Sequence, residues 1–252
     1  MSLHVLRRPL DDRVAVVTGA SVGLGARFAR VLHSAGAHVI ATARRGDLLE
    51  RLDRDCGDRV EILAGDITDA KHRQDLVELV RTHGRLDILV NNAGICDDGP
   101  LETQTLDELR RVIEVNLISV LDMCRLSVQL LRASQSASVI NVASIFGLVA
   151  SGGPMAGYNA TKGALINLTR HLAAMWGPDG VRVNALVPGY FPTDLTGNLA
   201  DPNFAESIRE RTLLRRTPGI EELDGPLLFL ASDASSYMTG QSLVIDGGWT
   251  AI

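Results

Sequence analysis

R-V-A-V-V-T-G-A-S-V-G-L-G, residues 13–25, is the stretch from which the fold of this chain is read. Val14, Ala15, Val16 and Val17 form an unbroken apolar run, the pattern of a strand buried on both faces and not of one with a wet side. Gly19, Gly23 and Gly25 follow, and then 26–36 has helical spacing, with Phe28, Val31 and Leu32 on one face and Gly36 as the stop. Glycines between a buried strand and a helix let the backbone turn tightly. They also let an anion approach the first N–H groups of the helix, whose dipole favours negative charge. The spacing Gly-x-x-x-Gly-x-Gly meets the generic G-x-G-x-x-G dinucleotide fingerprint only loosely. The same letters spell Gly19-Ala-Ser21-Val-Gly23, a G-x-S-x-G string at a strand-to-helix turn. That is the setting of a hydrolase nucleophile, which needs an acid and then a histidine at later strand ends.

Outward from this stretch the strand-then-helix rhythm recurs about every 25 residues, the mark of right-handed βαβ units in a parallel sheet. Strands are predicted at 38–43, 60–65, 86–91, 138–144, 181–187 and 242–246. Helices are predicted at 48–56, 70–83, 156–177 and 221–232, and 105–131 holds either two helices or one long bent one. The expected architecture is a single-domain α/β Rossmann fold over 1–252, a doubly wound seven-stranded parallel sheet with helices on both faces. Residues 1–12 read as a short lead-in. The stretch 190–218, with a helical piece at 204–211, is longer than a plain connection and reads as a lid over the substrate.

Composition agrees with one such domain. The chain has 252 residues, 46% hydrophobic and 22% charged, enough to bury about three quarters of its unfolded surface. Lys+Arg number 25 against 30 Asp+Glu, net -5, and the arginine pairs are scattered along the chain, which excludes a nucleic-acid stripe. Cys56, Cys96 and Cys124 are far apart and lack C-x-x-C spacing, so no disulfide framework is indicated and a reducing, cytoplasmic compartment fits. No two histidines or cysteines have ligand spacing, and no metal site is expected. The uncharged run 133–161 is interrupted by Asn141, Gly147, Gly152, Gly153 and Pro154 and reads as a buried strand and loop, not a membrane span. The first twelve residues carry no apolar core of a signal peptide.

Open α/β sheets bind ligands outside the carboxyl ends of their strands. The residues expected there are polar: Thr18-Gly19, Ala43-Arg44-Arg45, Asp66, Asn91-Asn92-Ala93-Gly94, Ser144 and Pro188-Gly189. Tyr158-Asn-Ala-Thr-Lys162 places a phenol and an ammonium at i and i+4 of a predicted helix, on one face. A phenol of pKa ~10 becomes a useful proton exchanger near neutrality if lowered by ~3 units, roughly 4 kcal/mol, which a close cation in a poorly solvated cleft can supply. The hydrolase reading weakens here, because His171, the one histidine after Tyr158, falls inside a predicted helix.

Joined together, the turn from Thr18 to Gly25, Asp66, the N-N-A-G of Asn91 to Gly94, Asn116, Ser144, Tyr158 and Lys162 resemble the short-chain dehydrogenase/reductase superfamily nearly end to end. The resemblance implies hydride transfer between a nicotinamide cofactor and a carbonyl carbon, interconverting a secondary alcohol and a ketone. It assigns catalysis to Tyr158 as acid and base, Ser144 as holder of the substrate oxygen, Lys162 as the neighbour that lowers the tyrosine and reaches the ribose, and Asn116 as the anchor of a proton-relay water. It gives the dinucleotide to Gly19, Ser21, Gly23, Leu24, Arg44, Asp66, Ile67, Asn92, Ala93, Gly94, Pro188, Gly189 and Thr193, together with Tyr158 and Lys162. An acidic residue after the second strand would choose NAD. Ala43 and Arg44 stand there, and a guanidinium suits the 2′-phosphate, so NADP(H) is expected, with NAD(H) the alternative because Val22 occupies a turn position that is often basic. Asp66 reads equally as the cap of the following helix, with Thr68 or Asp69 competing for that place.

The same resemblance implies a homotetramer. The substrate stays open among sugar acids, 3-oxoacyl thioesters, steroids and small cyclic ketones. The uncharged 145–155 flanks the chemistry, and Arg209, Arg211, Arg215 and Arg216 are either contacts for an anionic tail or a solvated face. A dinucleotide sensor without turnover is the remaining non-enzymatic reading.

Overall fold

Seven strands form the core: β1 (Val14–Thr18), β2 (His38–Ala43), β3 (Val60–Ala64), β4 (Ile88–Asn91), β5 (Ser138–Val142), β6 (Arg182–Pro188) and β7 (Ser242–Ile245). They pair in the order β3-β2-β1-β4-β5-β6-β7, every pair parallel. The computed structural model describes residues 9–97, 99–196, 199 and 201–252. The expected architecture, a doubly wound parallel sheet of the Rossmann type, is what these residues form. The chain steps outward from β1 in one direction to β3 and then in the other from β4, so the crevice of this sheet opens at the carboxyl ends of β1 and β4.

The apolar run that opens the fold is buried along its whole length. Its alternate residues serve two cores. Val14 and Val16 face Leu76, Val80, Met123, Leu131, Leu165 and Leu172, which come from α3 (Ala70–Arg81), α5 (Ser119–Arg132) and α6 (Ala156–Trp176). Ala15 and Val17 face Phe28, Leu32, Leu49, Leu52, Leu227 and Leu230, which come from α1 (Gly23–Ser34), α2 (Gly46–Cys56) and α8 (Asp224–Ala231).

Several predicted boundaries shift. α1 begins inside the glycine turn, before the predicted 26, because helical periodicity is carried by side chains that Gly23 and Gly25 lack. The span 105–131 is one continuous helical run in three parts: α4 (Leu106–Ile113), a π turn at Glu114–Ile118, and α5. The predicted helix 221–232 divides into a 3-10 turn at Ile220–Leu223 and then α8, with Pro226 in the first turn of α8, where a missing N–H costs no helical bond. β5 stops at Val142, so Ser144 lies beyond the strand and caps the 3-10 turn Ile145–Gly147, its hydroxyl accepting from the Phe146 N–H at 3.2 Å. The stretch 190–218 contains α7 (Pro202–Arg211). Its residues 197, 198 and 200, like 1–8 of the lead-in, lie outside the described residues. Among the described residues no helix is long and apolar enough to cross a membrane.

Candidate active site

The end of β1 is bound to the loop after β4. The Thr18 hydroxyl accepts from the backbone N–H of Asn92 and of Ala93, each at 3.0 Å, and the Asn92 side chain donates back to the Thr18 carbonyl at 2.8 Å. Gly19 sits in this junction with φ +68°, where a Cβ would stand 2.9 Å from the Ala93 Cα, and a Cβ on Gly25 would run into the Gly19 carbonyl oxygen. Only glycine fits both places. Val22, which precedes α1, gives no side-chain cap, and the first turn of α1 carries no acidic residue. The leading N–H groups of that helix therefore face the cleft with no side chain competing for them, which fits an anion such as a dinucleotide phosphate.

One cleft along the carboxyl ends of the strands gathers nearly all the residues singled out in the sequence. Its floor is Gly19, Ser21, Gly23 and Leu24; Asn92, Ala93 and Gly94 form its middle; Asp66, Ile67 and Arg44 stand at one end; Ser144, Tyr158, Lys162, Pro188, Gly189 and Thr193 close the other. Thr193 lies across the glycine turn: its Cβ is 3.4 Å from where a Cβ on Gly23 would be, and its N–H donates to the Thr196 hydroxyl at 3.0 Å.

Asn116 is the exception. It is fully buried behind the cleft wall. Its Oδ1 accepts from the Ile95 N–H at 2.9 Å, and its Nδ2 donates to the Ile95 carbonyl at 2.8 Å and to the Thr161 hydroxyl at 3.1 Å. The side chain stands in the π turn and holds the loop after β4 against α6.

Tyr158 and Lys162 share a face of α6 as their spacing predicts, with the Lys162 ammonium nitrogen 5.4 Å from the centre of the Tyr158 ring. The expected lowering of the tyrosine is outweighed by burial. Tyr158 and Lys162 are 8% and 4% exposed, and removal from water penalises the charged form of each. Burial pushes the Tyr158 phenol up to about 12, with the Ser144 hydroxyl as the neighbour pulling it down, and pushes the Lys162 ammonium down to about 8. The ammonium meanwhile donates to a neutral group, the Val142 carbonyl, at 2.8 Å.

Several contributors escaped the sequence. α6 has no side-chain cap of its own at Met155 and no acid in its first turn. Asp97, from the loop after β4, supplies both acceptors: its Oδ2 and Oδ1 take the N–H groups of Gly157 and Tyr158, each at 2.8 Å, and those bonds help hold its carboxyl below the usual carboxylate range. Arg45, and not Arg44, reaches the glycine turn, its Nε and Nη2 donating to the Ser21 hydroxyl at 3.3 and 3.2 Å. Arg44 is exposed at the rim of the cleft with no side-chain bond among the described residues. Asp66 is not the cap of α3; Asp69 is, accepting from the Lys71 N–H at 2.9 Å. One oxygen of Asp66 takes the N–H and hydroxyl of Thr68, and the other takes Arg111 Nη2 at 2.9 Å. Against the opposing effect of burial, these bonds hold the carboxyl at about 2.

Beside Phe191, which lines the cleft, stands an aromatic cluster. Tyr190 lies edge-on to Phe146 and Phe204, at 5.8 and 5.6 Å between ring centres, and 5.1 Å from Trp249. The Arg211 guanidinium sits 4.6 Å over the Trp249 ring. The hydrolase reading fails at the same turn, because the partner of the Ser21 hydroxyl is the Arg45 guanidinium, which cannot act as a base.

Over residues 19–250 the chain matches the family described as enoyl-(acyl carrier protein) reductase. It is 37% identical over 245 residues to cis-4-hydroxycyclohexanecarboxylate dehydrogenase of Sinomonas cyclohexanicum, covering 96% of this chain and 98% of that protein. It is 36% identical over 246 residues to gluconate 5-dehydrogenase of Gluconobacter oxydans, covering 96% of each. A crystal structure of a gluconate 5-dehydrogenase from Burkholderia cenocepacia, in complex with NADP and tartrate, is similar at a TM-score of 0.91 and 34% identity over 99% of both chains. With its parallel sheet, glycine turn and Tyr158–Lys162 helix, the chain belongs to the short-chain dehydrogenase/reductase superfamily, as an oxidoreductase acting on CH–OH groups with NAD(P).

Proposed function

We propose that the chain interconverts a carboxylate-bearing secondary alcohol and its ketone with NADP(H), using Tyr158 as general acid and base. The observation that carries this reading is the convergence of Ser144, Tyr158 and Lys162 at one end of a cleft whose floor carries the uncapped N-terminus of α1, open to a phosphate. When bound, the dinucleotide gives or takes the hydride at its nicotinamide ring. The Tyr158 hydroxyl, protonated at neutral pH, gives its proton to the carbonyl oxygen as negative charge develops there. Ser144 donates a hydrogen bond to the same oxygen. Lys162, still charged at pH 7, stabilises the phenolate left behind. Asn116 is a positioning residue, tying the backbone at Ile95 to the Thr161 side chain next to Lys162 on α6.

The carboxylate is supported by the relatives: hydroxycyclohexanecarboxylate and gluconate in their names, tartrate beside NADP in the solved complex. In this chain we assign that contact to Arg211, whose guanidinium lies over Trp249 and whose charge acts on Tyr190. A panel of hydroxy acids and their amides, assayed with both cofactors, is expected to favour the acids by roughly tenfold or more, the size of one charge-assisted hydrogen bond. The preference should vanish in R211A. Equal rates on acids and amides would refute the carboxylate.

Cofactor choice rests on Arg44 and Arg45 at the cleft rim. Loss of a hydrogen bond to a charged group costs about 1.5–3 kcal/mol. R44A and R45A are therefore each expected to raise the NADPH dissociation constant roughly 10- to 100-fold, with that for NADH nearly unchanged, in a fluorescence titration. Tighter binding of NADH by the wild type would overturn the preference. A homotetramer is supported by the exposed apolar side chains of Leu101, Leu106 and Ile113 on and before α4; a single-chain mass by light scattering would refute it.

A further inference from the structure

At the amino end of the sheet, opposite the cleft, residues without ligand spacing in the sequence come together. The parallel register sets Ile40 beside Glu61, and His38 stands two residues before Ile40. Strand alternation therefore turns His38 and Glu61 to the same face. That face is the one Ile40 shares with Leu76, Val77 and Val80 of α3. A crossover helix runs back against the strands, so the end of α3 returns to their amino ends. There the His83 N–H donates to the Val80 carbonyl at 3.0 Å, in the turn that follows the helix.

Nε2 of His38 and Nε2 of His83 consequently lie 2.6 and 2.8 Å from the same oxygen of Glu61, Oε1. The two rings are 4.5 Å apart, and the three donor atoms are all within 4.8 Å of one another. Ligand spacing in the sequence cannot display this cluster, because its three residues come from separate elements. With their side chains 27%, 35% and 22% exposed, His38, Glu61 and His83 leave solvent access and room for water as a fourth ligand. Two arginines share the recess, but both are engaged: Arg59 donates to the Gly36 carbonyl at 3.1 Å, and Arg85 to Asp87 at 3.0 Å and to the Asp12 carbonyl at 2.6 Å.

We propose that His38, Glu61 and His83 bind one borderline divalent cation, of which Zn²⁺ is the type. Two imidazoles and one carboxylate suit zinc, cobalt or nickel, whereas calcium and magnesium ask for a full oxygen shell. Tetrahedral ligands at ~2.0–2.2 Å from zinc stand roughly 3.4 Å apart, so the present contacts need to open by less than about 1 Å. The ion replaces the protons now shared between the imidazoles and Glu61. It ties the outermost strand β3 to β2 and to the end of α3, far from the reacting atoms, and its effect is on stability and not on turnover.

Zinc at about 100 times its dissociation constant is expected to raise the Tm of the chelator-treated full chain by roughly 5–10 °C. H83N and E61Q should lose that rise while reducing ketones at the wild-type rate, and C96S should keep it. Should a variant fail to fold, crystals of the wild type soaked in zinc decide the matter by anomalous scattering, with a peak expected between the three side chains. No Tm change in the wild type, an undiminished rise in H83N, or a peak only elsewhere would each overturn the site.

Discussion

Y158F is expected to lower the rate of ketone reduction by about 10²- to 10⁴-fold, the range that a positioned general acid contributes, while leaving fold and NADPH binding intact. The ring is 8% exposed, and phenylalanine fills the same volume without the hydroxyl. Steady-state rates, paired with a fluorescence titration of NADPH, read both halves of the result. Full activity in Y158F would sink the mechanism. Wild-type protein that binds NADPH yet turns over no ketone would instead favour the sensor reading.

K162M should separate catalysis from stability. Activity is expected to fall by at least ~10²-fold, as when a preorganised charge at the developing phenolate is lost. Stability at pH 7 should rise, by roughly 1–3 kcal/mol in urea unfolding, because a desolvated ammonium is replaced by an apolar side chain of similar length. The pH dependence follows from the sign of the shift. Burial lowers the Lys162 pKa in the folded state to about 8 from the ordinary 10.5. Between those values the unfolded chain binds the extra proton, so wild-type stability rises with pH. The advantage of K162M is thus complete below pH 8 and fades between 8 and 10.5. In the same way kcat/KM for reduction by the wild type, which reports the free enzyme, is expected to be level at neutral pH and to decline as pH passes 8. An equal or lower stability for K162M at pH 7 would refute the buried cation as a cost to the fold.

What was legible in the sequence was local. The apolar run of β1, the glycines after it and the i, i+4 pairing of Tyr158 with Lys162 each depend on neighbours a few residues apart. The start of α1 was hidden because glycines carry no periodicity. Asp66 with Arg111, 45 residues apart, and His38, Glu61 and His83, on three elements, meet only once the sheet has formed. That Arg45 also turns toward the glycine turn and bonds Ser21 depends on which way the side chain leaves the end of β2, which the sequence does not display. The balance at Tyr158 is not legible in the sequence, because spacing gives the proximity of a charge and not the depth of burial that opposes it.

Asp97 has a practical consequence for engineering. The two first-turn amides of α6 that it receives lie 60 and 61 positions downstream, so the pose of the phenol is inherited from a different part of the polypeptide. A chimera that imports 94–100 from a homologue lacking an acid at 97 will tilt or fray the helix it never touched in the cloning. Loop libraries aimed at new substrates should therefore hold that one carboxylate constant and randomise around it.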